Sequence, residues 1–285
     1  MKYAVLLNPL AGCGGCAEKA RRELPAYLNG ELRYIDLTGI RDVYALISQL
    51  PAEETPVLCG GDGTINRFAN ALEGRIPERE ILYFAAGSGN DFLRDTGKSA
   101  ADGPFALNPY LKKLPCVRVG DRTWRFVNSV GFGIDGYCCE KGDEARQKGR
   151  IKINYALFAI KGLLGAFHPV TAEVEADGQK SVYPNTWLAP CMKGRYYGGG
   201  MMPAPCQDRF DPSGRVSVMA FFCRSRLKAL TAFPDIFKGK LAEDPGICAV
   251  RQGHRIRVRF DRPCALQIDG ETVKDVTQYE VFADD

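Results

Sequence analysis

Val57-Leu58-Cys59-Gly60-Gly61-Asp62-Gly63-Thr64-Ile65-Asn66 decides how this chain is read. A buried-strand run ends in a glycine-rich turn, and a helix-like stretch from Thr64 to Leu72 follows. In such a loop, backbone N–H groups and the start of a helix can face phosphate oxygens with no Cβ in the way. Asp62 is the odd member: a carboxylate beside phosphates is repulsive unless a cation stands between them, so it suits Mg²⁺ or its bound water. The same residues also make a tight turn that merely needs glycine, and the loop alone leaves both readings open.

Outward from this loop, strand-like and helix-like runs alternate. Tyr3 to Leu7 precedes Ala17 to Leu24, Leu32 to Leu37 precedes Val43 to Leu50, and Ile81 to Ala86 precedes Asn90 to Asp95. Strand followed by helix, repeated, reads as a parallel sheet covered on both faces, which binds ligands at the carboxyl ends of its strands. Two more glycine-rich loops fall at those ends, Asn8-Pro9-Leu10-Ala11-Gly12-Cys13-Gly14-Gly15 and Gly87-Ser88-Gly89-Asn90-Asp91-Phe92. Three such loops on one sheet edge converge on one cleft and favour a phosphate-containing ligand. The Walker loop and the spaced glycine fingerprint of dinucleotide enzymes are both absent.

After about Leu114 the texture changes to strands separated by Gly120-Asp121, Asp177-Gly178 and Asp269-Gly270, dipeptides that favour hairpins. The expected fold is therefore α/β: an N-terminal parallel-sheet domain over 1–115, then a second, mainly antiparallel β domain over 116–285. Arg255-Ile-Arg-Val-Arg-Phe260 alternates, with arginines facing solvent or an anion and Ile256, Val258 and Phe260 facing inward. One helix is inserted around Ile153 to Leu164.

Composition narrows the classes. With 285 residues and 45% hydrophobic content the chain fills two cores. A formal charge of +4, from 38 basic and 34 acidic residues, gives no reason to expect nucleic acid. Eleven scattered cysteines fit a reducing, cytoplasmic compartment better than a disulfide scaffold. Cys13 and Cys16 have the spacing of half a zinc site, but no second pair follows. No secretory signal is read at Met1, and the longest apolar stretch, Ile153 to Phe167, is interrupted by Lys161 and too short to span a bilayer. Lys141, Arg146, Lys148, Arg150 and Lys152 lead into that stretch. The pattern fits peripheral contact with an anionic membrane, or a core helix with a solvated basic approach.

Asn8-Pro-Leu-Ala-Gly12, Gly60-Gly-Asp-Gly-Thr64 and Ser88-Gly-Asn-Asp-Phe92, in this order, resemble the diacylglycerol kinase catalytic-domain family, which includes bacterial lipid kinases and sphingosine kinases. The likeness continues through Gly198-Gly-Gly-Met201 to Ile268-Asp269-Gly270-Glu271. It implies an N-terminal nucleotide-binding α/β domain with a C-terminal β-sandwich domain behind it, and an ATP- and Mg²⁺-dependent kinase acting on a lipid alcohol such as diacylglycerol. The positions implied to hold ATP are Asn8, Pro9, Gly12, Thr38, Gly60, Gly61, Asp62, Gly63, Thr64, Asn66, Ser88, Asn90 and Asp91. The implied proton acceptor is Glu271, with Asp269 beside it, although Asp269-Gly270 is also an ordinary hairpin turn. One departure is Ser213, which stands where bacterial relatives place an aspartate of a structural Mg²⁺ site, leaving Asp211 or Asp208 to substitute. NAD kinases share Gly-Gly-Asp-Gly-Thr but lack the early Asn-Pro loop, and a nucleotide-binding regulator without turnover is a third reading. The oligomeric state, monomer or homodimer, stays open.

Overall fold

The computed structural model describes residues 1–9, 15–87, 89–150 and 153–283. It divides into two compact units, Met1–Lys113 and Leu114–Asp285.

In the first unit β1 (Lys2–Leu7), α1 (Cys16–Glu23), β2 (Glu31–Asp36), α2 (Val43–Ser48), β3 (Glu54–Gly60), α3 (Asp62–Ala71), β4 (Leu82–Ala85), α4 (Asp91–Asp95) and β5 (Phe105–Ala106) follow in order, closed by the short α5 (Asn108–Leu111). The sheet order is β2-β1-β3-β4-β5. Neighbours pair in parallel from β2 to β4, with Leu7 level with both Asp36 and Cys59, and Gly60 level with Ala85. The central strands β1 and β3 are buried along nearly their whole length, as strands covered on both faces are. Only β5 departs from the expected parallel sheet: this two-residue edge strand runs antiparallel to β4. Its Phe105 closes an aromatic cluster with Tyr83, Phe92 and Tyr110, ring centroids 5.1–6.4 Å apart. Strand order reverses between β1 and β3, so the crevice at their carboxyl ends is where such a sheet receives a ligand.

The second unit contains β6 (Cys116–Val119), β7 (Arg122–Arg125), β8 (Ser129–Gly133), α6 (Ile134–Gln147), α7 (Tyr155–Lys161), β9 (Val170–Ala176), β10 (Gln179–Met192), β11 (Val216–Phe222), α8 (Arg226–Ala232), β12 (Cys248–Gly253), β13 (Arg255–Ile268) and β14 (Glu271–Phe282). All its strand pairs are antiparallel. The long strands β10 and β13 each pair with β9 at one end and with β8 at the other, and each shifts register between the two. Such irregularities bend a strand, so two layers share one hydrogen-bonded ladder around a core that includes Phe132, Phe260 and Tyr279.

Asp177-Gly178 and Asp269-Gly270 sit at the hairpin tips with φ of 47° and 82°, and 44° and 89°. Two consecutive left-handed residues are what a tight two-residue hairpin requires, which is why aspartate and glycine stand there. Along β13, Ile256, Val258 and Phe260 are buried as the alternation predicts. Arg255 and Arg257 pair with the buried Glu280 at 2.5 and 3.0 Å, so these two already have a carboxylate partner.

Candidate functional site

The parallel register brings the ends of β1, β2, β3 and β4 to one edge of the first unit. Asn8, Pro9, Thr38, Gly60 to Asn66 and Asn90 to Asp91 all belong to that edge or to the helices that start there. Gly12 and Ser88 lie outside the described residues.

Each glycine of the loop has its own reason. A Cβ on Gly60 would collide with the Thr64 side chain, and one on Gly61 would come within 2.9 Å of the Gly87 Cα. A Cβ on Gly87 would run into Gly61 in return, so the loops after β3 and β4 pack backbone on backbone. The carbonyl of Gly60 fixes this contact, accepting from Ala86 N at 2.8 Å, Gly87 N at 3.2 Å and the Tyr83 hydroxyl at 2.9 Å. Gly63 differs: its φ is not left-handed, and a Cβ there meets no atom within 4 Å. Helices disfavour glycine, so neither packing nor backbone conformation explains Gly63 in the first turn of α3. Among the described residues the space in front of it is open. The N-cap residue of α3, Gly61, has no side chain with which to cap it, and the positive end of the helix dipole points the same way.

Asp62 joins two elements. Its oxygens accept from Asp91 N at 2.9 Å and Phe92 N at 3.0 Å, which caps α4 and ties the β4 loop to α3. Asn90 precedes α4 in a left-handed conformation (φ 47°, ψ 36°), and its buried side-chain oxygen has no hydrogen-bond partner among the described residues. Thr64, Asn66 and Asp91 are buried. Thr38 is exposed and donates through both N–H and hydroxyl to Asp36 at 2.7 Å, which holds that carboxyl below its ordinary value. Sequence reasoning missed Lys19, whose ammonium donates to the Ala85 carbonyl at the end of β4 at 3.0 Å. No glycine pattern or spacing marks a lysine on α1 as belonging to this edge. The glycine N-cap of α3, the open space at Gly63 and the orphaned oxygen of Asn90 fit a phosphate-bearing nucleotide.

In the second unit, the two acids of the Asp269-Gly270-Glu271 turn are placed differently. The Asp269 carboxylate accepts from Val127 N (2.5 Å), Asn128 N (2.8 Å) and Ser129 N (2.9 Å). The buried Arg209 grips the same segment, donating to Val127 O at 2.5 Å and Asn128 Oδ1 at 2.8 Å. Asp269 is therefore a structural clamp, with its lone pairs engaged by three amides. Glu271 is exposed, at the first position of β14 opposite Ile268. Gln267 steadies the turn between them, accepting from Gly270 N and donating to Ser129 Oγ, both at 3.0 Å.

Close by, the buried Asp135 in the first turn of α6 accepts from Gly136 N at 2.8 Å, while its second oxygen, with Gln267 and Tyr197 near it, has no partner in good hydrogen-bond geometry among the described residues. Burial raises its pKa to about 7, against the lowering effect of its hydrogen bonds. Asp211 does not fit a metal: its oxygens accept from Ser213 N (2.9 Å) and Ser213 Oγ (2.7 Å), and Arg215 already stands 3.6 Å away as its cation. Asp208 accepts from Phe210 N at 2.9 Å. Among the described residues no three His, Cys, Asp or Glu side chains gather as a metal site. A cavity of about 300 Å³ lies in this unit, its lining combining Tyr137, Phe167 and Pro263 with Glu140, His168 and Arg262.

Two family models match the chain. One, of the diacylglycerol kinase catalytic domain, covers residues 2–115; the other, described as the YegS C-terminal NAD kinase beta sandwich-like domain, covers 128–281. A Mycobacterium tuberculosis protein named diacylglycerol kinase is 27% identical over 258 residues, 85% of this chain and 80% of its own length. A crystal structure of a diacylglycerol kinase from Bacillus anthracis superposes with a TM-score of 0.61 at 17% identity, covering 99% of this chain and 94% of that one. Another Bacillus anthracis structure gives 0.66 at 20% identity, over 99% and 92%. At such identity the two structures show a shared fold.

Proposed function

We propose that this chain, which belongs to the diacylglycerol kinase catalytic-domain family, transfers the γ-phosphoryl group of ATP to the hydroxyl of a lipid alcohol such as diacylglycerol. The observation that carries the donor side is Gly63, a helical glycine with open space before it, beside Gly60, Gly61 and Gly87, which packing explains. The amides at the start of α3 bind phosphate oxygens there, and Asn90 offers its orphaned amide oxygen to a donor on the ligand. Asn8, Pro9 and Thr38 flank the crevice on the β1 and β2 side.

Mg²⁺ would screen the phosphate charge, and Asp62, whose oxygens also cap α4, is the residue of this edge that would hold it. On the acceptor side Glu271 is the base. Its carboxylate takes the hydroxyl proton as the acceptor oxygen bonds to the γ-phosphorus and the bond to the β–γ bridging oxygen breaks, releasing ADP, while Asp269 keeps the turn rigid beneath it. The mixed lining of the second-unit cavity suits an amphipathic acceptor.

The test is transfer from γ-labelled ATP to a panel of diacylglycerol, a sphingoid base, a polyprenol and NAD. Label in one of the lipids is expected. Label in NAD alone would overturn the lipid assignment, and no label in any acceptor despite ATP binding would favour a regulator.

A further inference from the structure

We infer that the face made by α7, the turn 162–166 and α8 docks on an anionic lipid bilayer. The apolar stretch that reads equally well as a core helix is not in the core, for α7 contains no buried residue. Leu157, Ile160 and Leu164 are 44%, 47% and 64% exposed. Their i, i+3, i+7 spacing sets them along one stripe. Arg226 of α8 ties the neighbouring segment down by donating to Leu163 O at 3.3 Å and Phe167 O at 3.0 Å, and the next residue, Leu227, is 72% exposed. Apolar side chains gathered on two adjoining segments mark an interaction surface, whereas single exposed ones need no explanation.

Charge selects the occupant. The sequence has no Asp or Glu from Lys148 to His168, and none from Cys223 to Pro234. Lys148, Arg150, Lys161, Arg224 and Lys228 are exposed along these two segments. Lys141 and Arg146, further back on α6, are already paired with Glu144 at 2.6 Å and Asp143 at 2.7 Å and do not contribute. Aliphatic side chains among cations with no acid between them match a bilayer interface, where the former enter the acyl boundary and the latter meet lipid phosphates. A second copy of the chain would set this cationic rim against itself across a two-fold axis. The docking surface stands apart from phosphoryl transfer, but it would deliver a lipid kinase to its substrate, since Ala166 and Phe167 of the same segment line the second-unit cavity.

The test floats the whole chain, without nucleotide or acceptor, with extruded vesicles of phosphatidylcholine alone or mixed with phosphatidylglycerol. Binding to the mixed vesicles and little to the neutral ones is expected. The triple variant Leu157→Glu, Ile160→Glu, Leu164→Glu should lose binding with an unchanged melting temperature. Each of Lys148→Gln, Arg150→Gln and Lys161→Gln should weaken partitioning about fivefold. If the glutamate triple melts early, Leu164→Gln, at the most exposed of the three positions, carries the same test. Three results overturn the inference: no binding to either vesicle, equal binding by the folded variants, or a wild-type dimer that the triple variant converts to monomer while vesicle binding is absent. With no nucleotide or acceptor present, failure here leaves the phosphoryl-transfer reading standing.

Discussion

Replacing Gly63 by alanine separates a loop built for folding from a loop built for a ligand, because the two readings give opposite signs. Gly63 lies in the first turn of the ten-residue α3, and a Cβ there has free space. Removing glycine from a helix gains about 0.5–1 kcal/mol, through helix propensity and a less flexible unfolded chain. For a unit of this size the gain raises the melting temperature by roughly 3 °C. The same methyl fills the space assigned to phosphate, so ATP affinity should fall by at least about tenfold, close to 1.4 kcal/mol. Gly61→Ala is the control: its Cβ would press within 2.9 Å of the Gly87 backbone, and it should lose about 1–3 kcal/mol of stability. Calorimetric melting without nucleotide and ATP titration of both variants decide the matter. A Gly63→Ala protein that melts higher and binds ATP like wild type would remove the start of α3 from the nucleotide site. One that melts lower would show that the glycine serves the fold.

Other residues give independent checks. Asp62→Ala orphans the N–H groups of Asp91 and Phe92 and should cost about 1–2 kcal/mol, read by urea denaturation. Glu271→Gln should fold normally and lose about 10²–10⁴ in kcat, and unchanged transfer would exclude it as the base. Asp269→Ala leaves three amides without their acceptor and should destabilise the second unit by roughly 2–3 kcal/mol, a loss that Glu271→Gln does not share. Asp135 has a folded pKa of about 7 against an ordinary 3.8, so the folded state holds this proton more tightly than the unfolded one. Its contribution is complete below about pH 4, declines as pH rises to about 7 and is flat above, a change on the order of 4 kcal/mol. Asp135→Asn should flatten that decline in denaturation midpoints at pH 5 and pH 8; an unaltered slope would place the buried proton elsewhere.

How far the sequence reaches depends on how local the cause is. The Asp-Gly hairpins and the strand-helix alternation were legible because the dihedral demand or the hydrophobic period lies within a few residues. Helix α6 carries no such local signal, since Gly136 and Gly142 disfavour a helix. In the fold they allow close approach, to the Ala265 carbonyl and to the Tyr155 ring. Asp62 stood out as a carboxylate among glycines, but its role in capping α4 depends on amides 29 and 30 residues away. Arg209 gave no signal at all, because its partners at Val127 and Asn128 are more than 80 residues distant. The segment from Tyr155 to Phe167 shows the opposite limit. Apolar composition says that a surface seeks to leave water without saying whether the chain itself provides the cover.

The Asp269-Gly270-Glu271 turn joins these two kinds of information. Left-handed φ at Asp269 and Gly270 is a local requirement and would be met by many short polar residues. The clamp on Val127, Asn128 and Ser129 is not local, and it needs a carboxylate whose two oxygens reach three amides at once. Asparagine could make the turn, but with one acceptor oxygen it would leave part of the clamp unmade. Glu271 lies beyond both demands, exposed at the start of β14, so neither the hairpin nor the clamp requires its acidity. The turn geometry and the clamp account for Asp269, whereas neither of them fixes the acid at position 271, to which the proposed transfer assigns proton acceptance.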